Sequence, residues 1–503
     1  MNIERKNYRF IWLALATALS LFVGGRWSIP VAAWIAPIFF IRFYRDSDRG
    51  VRGYLAIWLG LSAAAAISWH QTTALREMGP FAEPLMFTAI SLLTAVPYVI
   101  DRIFYRRWAQ DGKQPFWLTL IYPISFTAID YIATAGSPFG SFGAAAYSQA
   151  GFTAIMQLAA VAGLYGIPFV IGWFASVVNY AWEAEFSSVE IKRRAVAFAG
   201  VMLALFAFGF SRPVVADAPV QTVPVGGFSL PRERMLSVFG TIVDGNDKAV
   251  REAVSVIHDE QLAQIRKMAQ DGAKIVTLQE GAGIGYKAEV DKMLAGAAEI
   301  AKDEGIYIVL PTATLDEAGV EPMHNVVHII DPTGAMVAEH YKYGGTQFEG
   351  SVAGSGELQV VETPYGKISA IICWDADFPE VVKQAGEQEV DLLFIPSNDW
   401  YEIRDLHSGM ATFRAVENGM PIFRQTGGGV SLVTDAYGRT VERIDMFETE
   451  QTGDWAAEQI VDVQIGSVNT LYPSVGGNFG LAMLVIMIGL LILAWTARRK
   501  AQA

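Results

Sequence analysis

The chain has 503 residues, 52% of them hydrophobic, and a positive mean hydropathy. That is too apolar for an ordinary soluble protein, so membrane segments are sought first. The formal net charge is −13 and the basic residues sit beside apolar runs instead of on one groove or face, which argues against a nucleic-acid partner. Cys373 is the only cysteine. It excludes an intramolecular disulfide and a Cys-based metal site, and is read as either an inert core residue or a reactive thiol.

Hydrophobic runs predict about seven membrane helices before a globular segment, near 9–25, 27–41, 54–71, 84–100, 116–133, 155–181 and 195–210, and one after it, near 478–496. The first run lacks a convincing cleavage site and is expected to be retained. The first pair is short and joined by Gly24, Gly25 and Arg26, a hairpin whose arms need not both cross fully. Basic loops carry Arg42, Arg45, Arg49 and Arg52; Arg102, Arg106, Arg107 and Lys113; Lys192, Arg193 and Arg194; and Arg498, Arg499 and Lys500. They alternate with poorly basic loops, so the positive-inside rule predicts cytoplasmic termini and a large domain outside, in the periplasm if the source is bacterial. The expected organisation is a membrane domain over 1–212, a globular domain over 213–475, and a C-terminal helix with a basic tail over 476–503. Asp130, near the outer end of a predicted span, has an intramembrane role and an interfacial position as open alternatives.

Within 213–475, helical stretches alternate with short β-rich runs, the pattern of a layered α/β fold. Asp247 to Gln270 places Val250, Val254, Ile257, Leu262, Ile265 and Met268 on one helical stripe. Strands are expected at 274–278, 306–310, 325–330, 336–339, 367–372, 391–395 and 430–433, with a helix near 288–300.

Reactive side chains fall where these strands end, the crest at which α/β sheets place their ligands and chemistry. Glu280 closes the first strand, Lys342 follows the strand through Tyr341, Cys373 closes the apolar run through Ile372, and Asn398 with Asp399 follows Ile395. After Cys373, the stretch from Trp374 to Glu380 reads as a sharp turn into a helix with Pro379 at its first position. This is expected to set the thiol near a helix N-terminus that favours thiolate. Thiol chemistry needs a base for the proton and a cation for the oxyanion, and a Glu, Lys and Cys supply both without histidine. His324 and His328 share a strand face, but no third ligand motif accompanies them, so no metal is expected.

The stretch Ile371 to Glu380 resembles the nucleophile motif of the nitrilase superfamily. Ser397 to Trp400, Arg414 to Pro421 and Asp435 to Arg439 resemble its next blocks in order. With the helical half, including Tyr147-Ser148-Gln149, Gln157, Gly163 to Gly166 and Asn179, nearly the whole chain resembles the apolipoprotein N-acyltransferase family, the membrane-bound branch of that superfamily. The resemblance implies a multi-pass helical membrane domain and a nitrilase-like α-β-β-α sandwich. It implies Glu280 as general base, Lys342 as oxyanion stabiliser and Cys373 as nucleophile, with Glu349 and Asn398 in support and no cofactor. The implied reaction moves an acyl chain from a phospholipid to the α-amine of a diacylglyceryl-cysteine lipoprotein, in a bacterial inner membrane. Two stretches depart from the family. Tyr343 to Glu349 replaces a His-Leu-Val-Pro-Phe-Gly-Glu-like segment, which leaves Glu349 a shifted candidate for the second glutamate. Gln279 to Gly283 lacks the usual prolines and apolar residues. Two alternatives stay open: a membrane-tethered amidase hydrolysing a small amide with the same residues, and a transporter or receptor with a decayed enzyme domain, which would tolerate loss of Cys373.

Overall fold

In the computed structural model, residues 3–109, 114–186, 188–215, 221–243, 247–448 and 454–500 are described, and Lys113 of the basic loops lies outside them. The chain divides into two units. Met1–Ser137, Ser141–Val215 and Val475–Ala503 form a helical unit, and Pro138–Gly140 with Ala216–Ser474 forms the other.

Among the described residues, five helices of the first unit are long and apolar enough to cross a bilayer: Gly50–Ser68, Ala82–Trp108, Phe116–Thr134, Arg194–Val214 and Asn478–Ala497. The expected pair near 9–25 and 27–41 forms as Ile3–Ser20 and Pro30–Arg45, with a 3₁₀ turn at Gly25–Trp27 between them. The helix expected over 155–181 is broken. Thr153–Ala162 and Gly166–Glu183 meet at 118°, and Gly163 between them takes φ +60°, a left-handed value that ends a right-handed helix. Two basic clusters converge at one end of this unit. Arg45 makes a fully buried two-pronged pair with Asp101 at 2.7 and 2.8 Å, while Arg102 and Arg106 donate to the Ser47 carbonyl at 2.7 and 2.6 Å. Asp130 accepts the Ala145 N–H at 3.0 Å.

The second unit is built on two sheets. The strands are β1 (Gln221–Ser229), β2 (Ile275–Leu278), β3 (Gly283–Tyr286), β4 (Tyr307–Leu315), β5 (His324–Ile330), β6 (Met336–Tyr341), β7 (Val360–Thr363), β8 (Gly366–Ala370), β9 (Leu392–Phe394), β10 (Ser397–Asn398), β11 (Ile422–Arg424), β12 (Thr426–Gly427), β13 (Val430–Thr434), β14 (Thr440–Asp445) and β15 (Ala456–Ile465). The first sheet runs β15-β1-β2-β4-β5-β6 with β3 beside β4, and the second runs β14-β13-β11-β9-β8-β7. Each has a parallel centre, β1-β2-β4 in one and β8-β9-β11 in the other, closed by antiparallel edges.

Alternation along the strands makes both faces of each sheet apolar, which explains the four layers. Val223, Val225, Val309 and Val327 of the first sheet meet Ile368, Leu392, Phe394 and Phe423 of the second in the central layer. The opposite face of the first sheet, with Val276, Leu278 and Ile308, takes the stripe of Asp247–Gln270 and Met293, Ala297 and Ile300 of Lys287–Glu304. The opposite face of the second, with Leu393, Ile395 and Ile422, takes Val381, Val382 and Ala385 of Pro379–Glu387 and Ala415 of Arg404–Asn418. This is an α-β-β-α sandwich. The central layer is tightest at Gly227 of β1, where an added Cβ would lie 2.3 Å from Gln425 Oε1 and 2.8 Å from the Phe423 ring.

Gly227→Ala is expected to lower the stability of the full chain by about 1–3 kcal/mol through overpacking. Gly240→Ala, in the helix Arg232–Val243 with nothing within 4 Å of the added carbon, is expected to leave it unchanged or raise it. Thermal unfolding of both variants in detergent checks the contrast.

Candidate active site

The two sheets contribute different parts of one cluster. β2 of the first sheet ends just before Glu280, β5 carries Asn325 and β6 leads into Lys342, whereas β8 of the second leads to Cys373, and β10, paired with β12 in a small sheet of its own, carries Asn398. Lys342 is 1% exposed, and its ammonium donates to Glu280 Oε1 at 2.7 Å and to Glu349 Oε1 at 2.5 Å. Glu280 also accepts the Asn325 amide at 2.7 Å and the Asn398 backbone N–H at 3.0 Å, and its own carbonyl accepts the Asn398 side chain at 2.7 Å. The predicted site residues Glu280, Lys342, Glu349 and Asn398 are thus brought into one hydrogen-bonded group. Glu349 reaches it from a single-turn helix, Thr346–Glu349.

Asn325 was not singled out by the sequence reading. It holds the cluster twice, through its amide on Glu280 and through its carbonyl, which accepts the Lys342 N–H at 2.9 Å. The signal lay in its position, a polar residue placed just before the β-branched pairs Val326–Val327 and Ile329–Ile330 and buried with them.

Cys373 stands beyond β8 with φ +46°, a backbone value rarely adopted by a residue with a Cβ. Its N–H still pairs across the sheet with the Pro396 carbonyl at 2.9 Å, and a 3₁₀ turn begins at once, over Cys373–Asp377. The reversal therefore brings the side chain out at the strand end, with backbone strain of the kind that clusters at functional sites. The thiol donates to the Asn398 carbonyl at 3.5 Å. Burial, followed by the Glu280 carboxylate, pushes it well above the ordinary thiol range, against the smaller pull of Lys342. This overturns the expectation that a helix N-terminus would favour the thiolate: one short turn does not offset complete burial beside a carboxylate. Burial likewise opposes the Lys342 ammonium, but Glu280, Glu349 and Cys373 together hold it well above the usual lysine value. Burial raises Glu349 to about 7, against the opposing effect of Lys342.

Asp375, fully buried, ties the Lys342 and Cys373 loops together. Its Oδ1 accepts the N–H groups of Tyr343 and Gly344 at 2.9 and 2.7 Å, and its Oδ2 accepts that of Ile372 at 2.9 Å. Near Cys373 lies a second charged group, in which Asp399 takes Arg424 at 2.9 Å and His407 Nδ1 at 2.7 Å. Arg424 and His407 outweigh burial and keep the Asp399 carboxyl below its ordinary value. The Cys373, Asp399 and His407 ligand atoms lie within 4.8 Å of one another. With Asp399 already bound by Arg424 and His407, the group reads as an ion-paired support. A cleft of about 220 Å³ opens at Glu280, Asn325, Glu349 and Asn398, and its opposite wall is apolar, with Leu230, Met235, Val238 and Phe239.

Residues 248–469 match the carbon-nitrogen hydrolase family, and residues 10–177 match the apolipoprotein N-acyltransferase N-terminal domain. The chain belongs to the apolipoprotein N-acyltransferase family. Relatives of that name include one from Geobacter metallireducens, 23% identical over 99% of this chain and 97% of its own length. Another, from Brucella melitensis, is 25% identical over 83% and 82%. A solved amidase from Nesterenkonia sp. is similar over 50% of this chain and 93% of its own, at 19% identity and a TM-score of 0.36. As an apolipoprotein N-acyltransferase family member the chain is an acyltransferase and a membrane protein, with a nitrilase-like fold in its C-terminal half.

Because Cys373 is the sole cysteine, its state can be read from intact mass after brief exposure to iodoacetamide. The raised thiol predicts alkylation at pH 7 at least about tenfold slower than that of a free thiol, rising with pH.

Proposed function

We propose that this acyltransferase moves an acyl chain from a phospholipid, through a thioester on Cys373, to the N-terminal amine of a diacylglyceryl-cysteine lipoprotein. The observation that carries the reading is the buried assembly of Glu280, Lys342 and Cys373 in a chain that also holds membrane-spanning helices.

In the first half-reaction Glu280 takes the Cys373 proton and the sulfur attacks the ester carbonyl carbon. Lys342 stabilises the oxyanion. As the tetrahedral intermediate collapses, the carbon–oxygen bond breaks, and Glu280 returns the proton to the departing lysophospholipid alkoxide. In the second, the acceptor amine attacks the thioester carbonyl and gives a proton to Glu280. The carbon–sulfur bond then breaks and the thiolate is reprotonated from Glu280, leaving an amide. A thiol that rests protonated suits this cycle, since the proton taken from sulfur is the one the leaving group needs. Glu349 shares the Lys342 ammonium and keeps it from closing fully onto Glu280, and Asn398 and Asn325 orient the base.

The membrane is the bacterial inner membrane, with the sandwich unit on the periplasmic side and both termini in the cytoplasm. Supporting this, basic residues in the last turns of Pro30–Arg45 and of Ala82–Trp108 gather at one end of the helical unit, as the positive-inside rule requires of cytoplasmic ends.

Incubating the full chain with phospholipid alone is expected to add one acyl chain by intact mass, and Cys373→Ala to abolish the adduct. Glu280→Gln should slow its formation by about 10²–10⁴-fold. An adduct that persists in Cys373→Ala, or none in the wild type, would sink the reading. Complementation of an N-acyltransferase-depleted bacterium, read at lipoprotein N-termini by mass spectrometry, tests the acceptor.

A further inference from the structure

His340 is a buried histidine that the acyl-transfer steps above do not use. It sits on β6 two residues before Lys342 and points inward with it, while its neighbours Glu339 and Tyr341 are exposed. Its Nε2 lies 2.8 Å from Asp375 Oδ2, and its Nδ1 lies 3.3 Å from the carbonyl oxygen of Glu357. We propose that His340 is held as an imidazolium and acts as a positioning residue, locking the strand end that carries Lys342 to the turn that carries Cys373 through Asp375. The inference rests on the roles proposed above for Lys342 and Cys373.

Both ring nitrogens face acceptors. The Glu357 carbonyl can only accept. Asp375 already receives three backbone N–H groups on its two oxygens, so a proton of its own would be set against another hydrogen. A neutral imidazole would point one lone pair at an oxygen, whereas the imidazolium satisfies both contacts. Asp375 is then a carboxylate with four donors: two from the loop after Lys342, one from the residue before Cys373, and His340 from the strand. Through this carboxyl the two loops, each from a different sheet, share a register.

The surroundings agree. Asp375 is the charged group facing His340 from the turn after β8, and the Glu357 carbonyl faces it from the segment before β7. Val327 lies opposite on β5. Lys342 is committed to Glu280 and Glu349, and His328 with Glu339 pairs at 3.2 Å on the other side of the alternation. Burial disfavours the cation, but the hydrogen bond and charge of Asp375 outweigh it and leave the His340 pKa raised. The lock is therefore complete below the ordinary histidine range and is lost as pH rises through the raised value. This sign separates it from Cys373, whose own titration would speed attack as pH rises.

The test follows thioester formation from phospholipid vesicles across pH, in the full chain and in His340→Gln, which keeps a donor for Asp375 but cannot ionise. His340→Asn serves as a second variant. The wild-type rate is expected to fall on the alkaline side. The variants should be slower at neutral pH, on the order of 10- to 100-fold, and should lack that fall. In protein labelled with ¹⁵N-histidine, one residue missing from the His340→Gln spectrum should show both ring nitrogens protonated at pH 7. A neutral His340 at pH 7, or variant profiles that superimpose on the wild type after scaling, would overturn the proposal. Absence of any thioester in the wild type at every pH overturns the catalytic reading and the positioning role with it, while the nitrogen signals still report on the ion pair.

Discussion

An ammonium with 1% exposure governs this site. Taking the Lys342 charge out of water costs several kcal/mol, and only well-placed opposite charges return it. Two carboxylates do so, Glu280 at 2.7 Å and Glu349 at 2.5 Å. Removing one partner from such a pair typically costs about 3–5 kcal/mol, so the cation and its acids must be built together. Much of the surrounding polar geometry follows from that requirement. Asn325 and Asn398 add two further donors to Glu280, which fix the direction of this carboxylate so that it does not collapse wholly onto the lysine.

The second constraint is that Cys373 and Lys342, the proposed nucleophile and cation, arrive from different sheets. Packing of β-branched and aromatic residues in the central layer fixes the sheets to each other, but a sliding error of a fraction of an ångström at a strand end would misplace a reacting atom. Asp375 answers this with a local tie that does not depend on the core: one carboxylate collects N–H groups from both loops. The strained backbone at Cys373 is sustained by the same tie and by its N–H bond to Pro396.

Much of this was legible in sequence where function is written locally. A helix stripe such as Val250 to Met268, or a strand that ends in Glu280, Lys342 or Cys373, shows its period and its exit residue within a few positions. What escaped depends on partners distant in sequence. The strands β7 and β11 are short, β1 is interrupted by Pro224, Gly226 and Gly227, and β14 and β15 are edge strands, so that all five are defined by what they pair with. Asn325 looks like an ordinary strand residue until Glu280 is placed beside it. The state of Cys373 was misjudged for the same reason: a turn into a helix is visible in sequence, but burial beside a carboxylate is not, and burial has the larger effect. The break at Gly163 was hidden because the run from 155 to 181 is apolar on both sides of it, and hydropathy alone does not register a single left-handed residue.

The lone cysteine takes its meaning from these constraints together. A thiol lowered by a helix dipole would be reactive towards any electrophile and exposed to oxidation. A thiol that is buried, protonated and hydrogen-bonded to the Asn398 carbonyl reacts only when a base removes its proton, and the proposed base, Glu280, is itself tied to the buried cation. In the proposed reaction the charge moved from sulfur to a carbonyl oxygen would be stabilised at Lys342, which makes thiol reactivity conditional on a carbonyl oxygen reaching it. On that reading, selectivity for acyl transfer over random thiol chemistry is a property of the Lys342 ion pairs, and the cysteine inherits it.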